Sequence, residues 1–154
     1  LLFVNENNGW SEFSPAAEQF RAKVTDLAAA FAIPAGTVDG NDAAAVGAAA
    51  ETAVARCRAG EGPMVLECVT TRVRGHFEGD PQKYRPEDDV DPARDPLALS
   101  RAALLSGGYD ADRLERMEGE VAAEVEAAIA AARAAPPADF EAAAGDVYTV
   151  RRAA

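Results

Sequence analysis

Two short apolar runs, Leu1-Leu2-Phe3-Val4 and Met64-Val65-Leu66-Glu67-Cys68-Val69-Thr70, constrain the fold more than any other feature. Both are rich in strand-forming side chains, and polar, Gly or Pro residues bound them, so each reads as a buried strand. Asn5 to Gly9 follows the first run as a polar turn of residues that accept unusual backbone angles. Ala16 to Ala32 has Phe20, Val24, Leu27, Ala28 and Phe31 at helical spacing, and Pro34 and Gly36 end it. A very short strand is expected around Val38. Asn41 or Asp42 can then cap a helix running through Val46, Ala50 and Val54 to about Ala59. Strand, helix, short strand, helix, strand is the order of a βαβ fold, and it implies a mainly parallel sheet.

Beyond residue 70 the pattern changes. "TRVRGHFEGDPQKYRPEDDVDP" is charge, Gly and Pro with hardly any apolar periodicity, and loops of this length inside compact domains carry function or stay disordered. Asp95 to Ser106 reads as a short helix. A clearer helix starts at Asp110, with Tyr109 and Leu114 placed as a hydrophobic staple. It continues through Met117, Val121, Val125 and Ile129 until Pro136 and Pro137 break it. "DFEAAAGDVYTV" reads as a short helix and strand. The 154 residues therefore suit one α/β domain: an α/β portion over 1–70, a loop over 71–94 and a helical extension over 95–154.

A net charge of −11 leaves no basic footprint for nucleic acid or an anionic membrane surface. Cys57 and Cys68 are the only cysteines and form no CxxC pair, so a reduced, cytoplasmic setting is expected rather than a disulfide or a metal site. No apolar run approaches the length of a membrane span.

Three places could carry chemistry. Asn7-Asn8-Gly9-Trp10 follows a strand, where open α/β sheets bind ligands. Amide and carbonyl oxygens there suit magnesium, although the same residues also make an ordinary turn. His76, the only histidine, can move a proton or donate to a phosphate, or be a plain loop residue. Arg72, Arg74, Asp80, Lys83, Tyr84 and Arg85 form a mixed-charge set that either stays solvated or locks the loop by bidentate pairing.

The segments "NENNGW", "VDGND", "GEGPMVLEC", "TRVRGHFEGDPQKYR" and "RDPL" occur in this order. In that order the chain resembles the later half of the alpha subunit of the thiamine-diphosphate-dependent first component of 2-oxo acid and acetoin dehydrogenase complexes. The resemblance runs to about residue 135, and "GHFEGDPQKYR" is similar to the acetoin branch. It implies a parallel-sheet thiamine-diphosphate-binding domain with a helical C-terminal extension, and thiamine diphosphate and Mg²⁺ as cofactors. Carried over, Asn8 would ligate magnesium through its side chain and Trp10 through its backbone carbonyl. His76 would lie by the diphosphate and assist acyl transfer to a lipoyl group. Arg72, Asp80, Tyr84 and Arg85 would order the loop over the active site, with both arginines pairing with Asp80.

The family's thiamine motif opens on a Gly-Asp-Gly that this chain does not carry, so the expectation is a fragment. Its partners would be the other half of the alpha subunit, a beta subunit that brings the activating glutamate, and a lipoyl-bearing acyltransferase. Phe77 stands where animal relatives carry a phosphorylated serine, so that control is not expected. Two further readings stay open: a split-subunit thiamine-dependent carboligase or transferase, and a non-catalytic fragment that scaffolds a partner.

Overall fold

The computed structural model describes residues 1–86, 89, 91–145 and 147. The chain divides into two compact units, Leu1–Tyr109 and Asp110–Ala154.

The first unit is α/β. Strand β1 (Leu2–Asn7) leads through a small hairpin, β2 (Trp10–Ser11) and β3 (Ser14–Pro15), into two short helices, α1 (Ala16–Gln19) and α2 (Val24–Ala30). Strand β4 (Ala35–Asp39), helix α3 (Ala43–Arg58) and strand β5 (Met64–Val69) complete the sheet, and α4 (Pro96–Ser106) ends the unit's helices. The sheet is parallel with order β1-β5-β4, so the last strand in sequence is the central one. Its registers, Asn7↔Val69 and Asp39↔Val69, bring the carboxyl ends of all three strands level.

Central placement explains burial: Val65, Leu66, Glu67 and Cys68 of β5 are all buried. The first apolar run behaves differently from its expected burial. β1 has one neighbour, and Phe3 and Val4 stay 48% and 57% exposed, because an edge strand gains cover on one side only. It also runs three residues further than read, because Asn5, Glu6 and Asn7 keep pairing with Glu67, Cys68 and Val69.

The helix expected over 16–32 is two helices. Phe20 is extended at φ −120° and ψ 120°, and Asp26 accepts the backbone N–H of Lys23 at 3.1 Å, which starts a fresh helix. Of the apolar residues on that stretch only Ala28 is buried, while Phe20, Leu27 and Phe31 are exposed. Helix α3 follows the expected course: Asp42 caps it by accepting from Ala44 N and Ala45 N, both at 3.0 Å, and Ala53 packs fully buried.

In the second unit, α5 (Ala111–Ala134) begins on the Asp110 cap and α6 (Phe140–Gly145) follows. Leu114 is buried. The strand expected near the C-terminus falls on residues 146 and 148–150, outside the described residues. Among the described residues no helix is long and apolar enough to cross a membrane.

Candidate functional site

The level carboxyl ends of the strands put three connections at one edge of the sheet. After β1 comes Asn8-Gly9-Trp10. Asn7 Oδ1 accepts from Gly9 N at 3.1 Å, and Asn8 Oδ1 accepts from Trp10 N at 3.0 Å. These Asx turns are local side-chain substitutes for backbone pairing. Gly9 sits at φ +76°, a left-handed angle that glycine takes without strain, and its carbonyl accepts from Ala16 N at 2.8 Å. The loop therefore returns immediately onto β3 and α1.

After β4 comes Asn41, which is fully buried. Its Oδ1 accepts from Thr70 Oγ1 at 2.9 Å and from Thr71 N at 3.2 Å, tying the β4 turn to the first residues past β5. Gly40 is needed beside it, since a Cβ there would stand 3.0 Å from Val69 O.

After β5 the chain enters the charged loop, which folds around Trp10. Arg72 and Arg85 bring their guanidinium carbons 5.4 Å and 5.5 Å from the Trp10 ring centre, and Tyr84 meets that ring edge-on at 5.4 Å. Trp10 Nε1 donates to Asp89 at 2.9 Å. Arg72 donates to Glu12 O at 2.7 Å and to Tyr84 Oη at 2.7 Å, and Tyr84 donates onward to Asp80 at 2.6 Å. Asp80 also accepts from His76 N at 2.8 Å and Gln82 N at 2.9 Å. Partial burial works against the charged Asp80 carboxylate, but donation by Tyr84, Gln82 and His76 and the charge of Arg72 outweigh it and hold its pKa below the usual range. Partial burial and the hydrogen bond to Asp80 raise Tyr84.

Both arginines correct the expected pairing with Asp80: Arg72 reaches it only through the Tyr84 hydroxyl, and Arg85 pairs with Asp89 instead. Nε and Nη2 reach the Asp89 carboxylate at 2.9 Å and 2.7 Å. The other contacts of Arg85 go to the carbonyls of Arg72 at 2.8 Å and Arg74 at 3.3 Å and to Gln82 Oε1 at 2.9 Å. For Arg85 the reason is reach: Asp89 lies four residues on and meets it directly, whereas Asp80 is engaged by Tyr84, His76 and Gln82 on its own side of the loop. His76 is exposed on this loop, its ring edge-on to Phe13 at 5.3 Å. The two segments named from sequence, 7–10 and 72–85, thus converge on Trp10, and His76 lies against the hairpin that leaves it.

Residues 1–141 match the model of the dehydrogenase E1 component. The chain belongs to that family. It is 41% identical, over 96% of its length, to the alpha subunit of an acetoin:2,6-dichlorophenolindophenol oxidoreductase of Cupriavidus necator, and 39% identical over 92% to the protein of that name in Bacillus subtilis. It is 38% identical over 79% of its length to the pyruvate dehydrogenase E1 component subunit alpha of Rhizobium meliloti. It spans 46%, 44% and 36% of these relatives' lengths, less than half of each.

The residues fit a magnesium ion in kind. An amide oxygen has two lone pairs, and Asn8 Oδ1 commits one of them to Trp10 N, leaving one for a hard cation. Asn7, Asn8, Gly9 and Trp10 also line a cavity of about 630 Å³, which extends to Glu67 and Leu27. Among the described residues no group of three or more His, Cys, Asp or Glu could hold a metal alone. A magnesium ion at this edge would accordingly draw most of its ligands from phosphate oxygens, water and other residues.

Sequence reasoning passed over Asp89, Phe13 and Glu67, and it read Asn41 only as a possible helix cap, whereas its side chain ties the β4 turn to Thr70 and Thr71. Glu67 left a signal: a carboxylate inside the apolar run "MVLECV" is costly to bury unless donors meet it.

Proposed function

We propose that this chain is part of the alpha subunit of a thiamine-diphosphate-dependent dehydrogenase acting on acetoin or a 2-oxo acid, with transfer of the acyl group to a lipoyl carrier. The observation that carries the reading is the convergence of the Asn8–Trp10 turn and the His76 loop at the carboxyl edge of a parallel sheet. That edge is where such sheets bind their ligands. The names of the relatives, acetoin oxidoreductase and pyruvate dehydrogenase alpha subunits, support the substrate class.

In this reading Asn8 Oδ1 and the Trp10 carbonyl would hold Mg²⁺, whose charge would favour a diphosphate at the sheet edge. Thiamine diphosphate, when bound, supplies the electron sink for breaking the bond beside the carbonyl. The loop over 71–94 shields the site from water: Arg72, Tyr84 and Asp80 form one brace and Arg85 with Asp89 a second, both closing on Trp10. His76, whose backbone is pinned to Asp80 while its imidazole is exposed, donates to the diphosphate and moves a proton during transfer to the lipoyl sulfur. The rest of the site comes from the other half of the alpha subunit and from a beta subunit, and a lipoyl-bearing acyltransferase accepts the product. A reduced, cytoplasmic setting stays part of this reading, since Cys57 and Cys68 form no CxxC pair.

The test is calorimetry with thiamine diphosphate and Mg²⁺. The chain alone is expected to bind weakly, and the complex assembled with its partner chains tightly. In the complex, Asn8→Ala should weaken magnesium-dependent binding more than Asn7→Ala. His76→Ala should slow lipoyl acylation more than the preceding step in single-turnover measurements. Tight binding by the isolated chain, or equal acylation rates in mutant and wild type, would overturn the corresponding part of the reading.

A further inference from the structure

We propose that Glu67 is a positioning residue for the metal-binding turn, acting through Asn7. This inference rests on the function proposed above. Glu67 is on the central strand and only 5% exposed, yet its carboxylate is engaged by strands on both sides. Oε1 accepts from Asn7 Nδ2 of β1 at 2.9 Å, and Oε2 accepts from Thr37 Oγ1 of β4 at 3.1 Å. Register makes the second contact a direct cross-strand pair, Thr37↔Glu67. The first is diagonal, since Asn5 pairs with Glu67 and Asn7 with Val69.

The diagonal contact matters because Asn7 has two ends. Its amide nitrogen can only donate, and giving it to Glu67 fixes which way round the amide sits. The oxygen is thereby aimed at Gly9 N, closing the turn that presents Asn8 Oδ1. If the amide were released, the Asn7 oxygen would be free to turn from Gly9, and the backbone between Asn7 and Trp10 would lose its fixed path. Glu67 also lines the cavity that holds Asn7, Asn8 and Trp10, so the carboxylate lies beneath the turn in the same space. Groups one step behind a metal ligand tune affinity by holding the ligand in place, typically by about 10–100-fold.

The variants separate position from bulk. Glu67→Gln keeps one acceptor oxygen for Asn7 and presents its NH₂ to the Thr37 hydroxyl, which can accept as well as donate. Glu67→Leu fills the space but leaves Asn7 Nδ2 without its acceptor. Thr37→Val removes the other contact and leaves the Asn7 one intact. In the complex assembled with its partner chains, and with thiamine diphosphate saturating, the magnesium dissociation constant is read by calorimetry and the melting temperature by circular dichroism. Glu67→Leu is expected to weaken magnesium binding about 10-fold. Glu67→Gln and Thr37→Val should stay within about 2-fold of wild type, and Glu67→Leu should add nothing further in an Asn7→Ala background. A lowered melting temperature with an unchanged magnesium constant in Glu67→Leu would reduce Glu67 to a structural role and overturn the proposal. So would equal loss in Glu67→Leu and Thr37→Val. If the wild-type complex itself shows no magnesium-dependent binding, the proposed function fails first, and the two failures are thereby told apart.

Discussion

The loop over 71–89 and helix α5 reverse what their sequences advertise. The loop has almost no apolar residues, yet Arg72, Asp80, Tyr84, Arg85 and Asp89 are held in bonds, and Arg85 is 3% exposed and braced to two carbonyls, an amide and a carboxylate. Helix α5 has clean helical periodicity, yet Met117, Val121 and Val125 are 50%, 59% and 52% exposed, and Leu114 is its one buried residue among those described. A periodic apolar stripe states that a helix can form and which face is sticky, but not that anything covers that face. A set of forked donors and short acceptors can hold a path without a core, because each bond is directional and each missing partner leaves a costly orphan.

Breaking the loop should show this most strongly. Arg85→Ala removes a nearly buried cation and leaves Asp89 and the Arg72 and Arg74 carbonyls without it, an expected cost of about 3 kcal/mol against loop closure. Limited proteolysis at Arg74 and Lys83 measures it, and unchanged cleavage would mean that the loop is held by something else. Gly75→Ala comes next. A Cβ at this position would lie 2.5 Å from the Asp80 Cβ, so Asp80 must move, at about 1–3 kcal/mol. Trp10 is the only tryptophan, and its fluorescence should report the movement through Arg72 and Tyr84.

Acid should act on the same brace more gently. Because Asp80 titrates below the usual carboxylate range in the folded state, its contribution is present above the ordinary aspartate pKa and is lost as pH falls through the lowered folded value. The Trp10 signal should therefore stay flat through neutral and mildly acidic pH and shift only below about pH 4. Asp80→Asn should reduce that acid transition.

The smallest effects belong to α5. Met117→Gln and Val121→Gln should change the melting free energy by no more than about 0.5 kcal/mol, as expected for exposed sites. Gly119→Ala, with nothing within 4 Å of the added Cβ, should stabilise the helix by about 0.5–1 kcal/mol. A loss of several kcal/mol from Val121→Gln would erase the contrast between the two regions.

The strand β5, a short strand at Val38, a cap at Asn41 or Asp42 and the start of α5 at Asp110 could be read directly, because β-rich runs, capping residues and Pro breaks are local signals. The exposure of Phe3 and Val4 could not, since an apolar run looks the same at the centre of a sheet and at its edge. The break at Phe20 was hidden for a different reason: helical spacing continued across it, and only the bond from Lys23 N to Asp26 reveals the restart. In the site, the residue types around Trp10 were legible but their pairing was not. Asp80 and Asp89 are equally plausible partners for Arg85 until the turn between them is known.

The strand order also carries a consequence for synthesis. Among the described residues β1 and β4 each pair with β5 and not with one another, so neither of these two pairings can form until Met64–Val69 is available. In a growing chain the pairing of β1 and β4 with β5 therefore waits until the residues after α3 have been made. Pairing Leu2 with Met64 joins residues far apart in sequence, the kind of long-range closure that slows folding. A nascent chain halted before Met64 would lack the β1–β5 and β4–β5 pairings, and Asn7 would lack the Glu67 side chain that holds its amide.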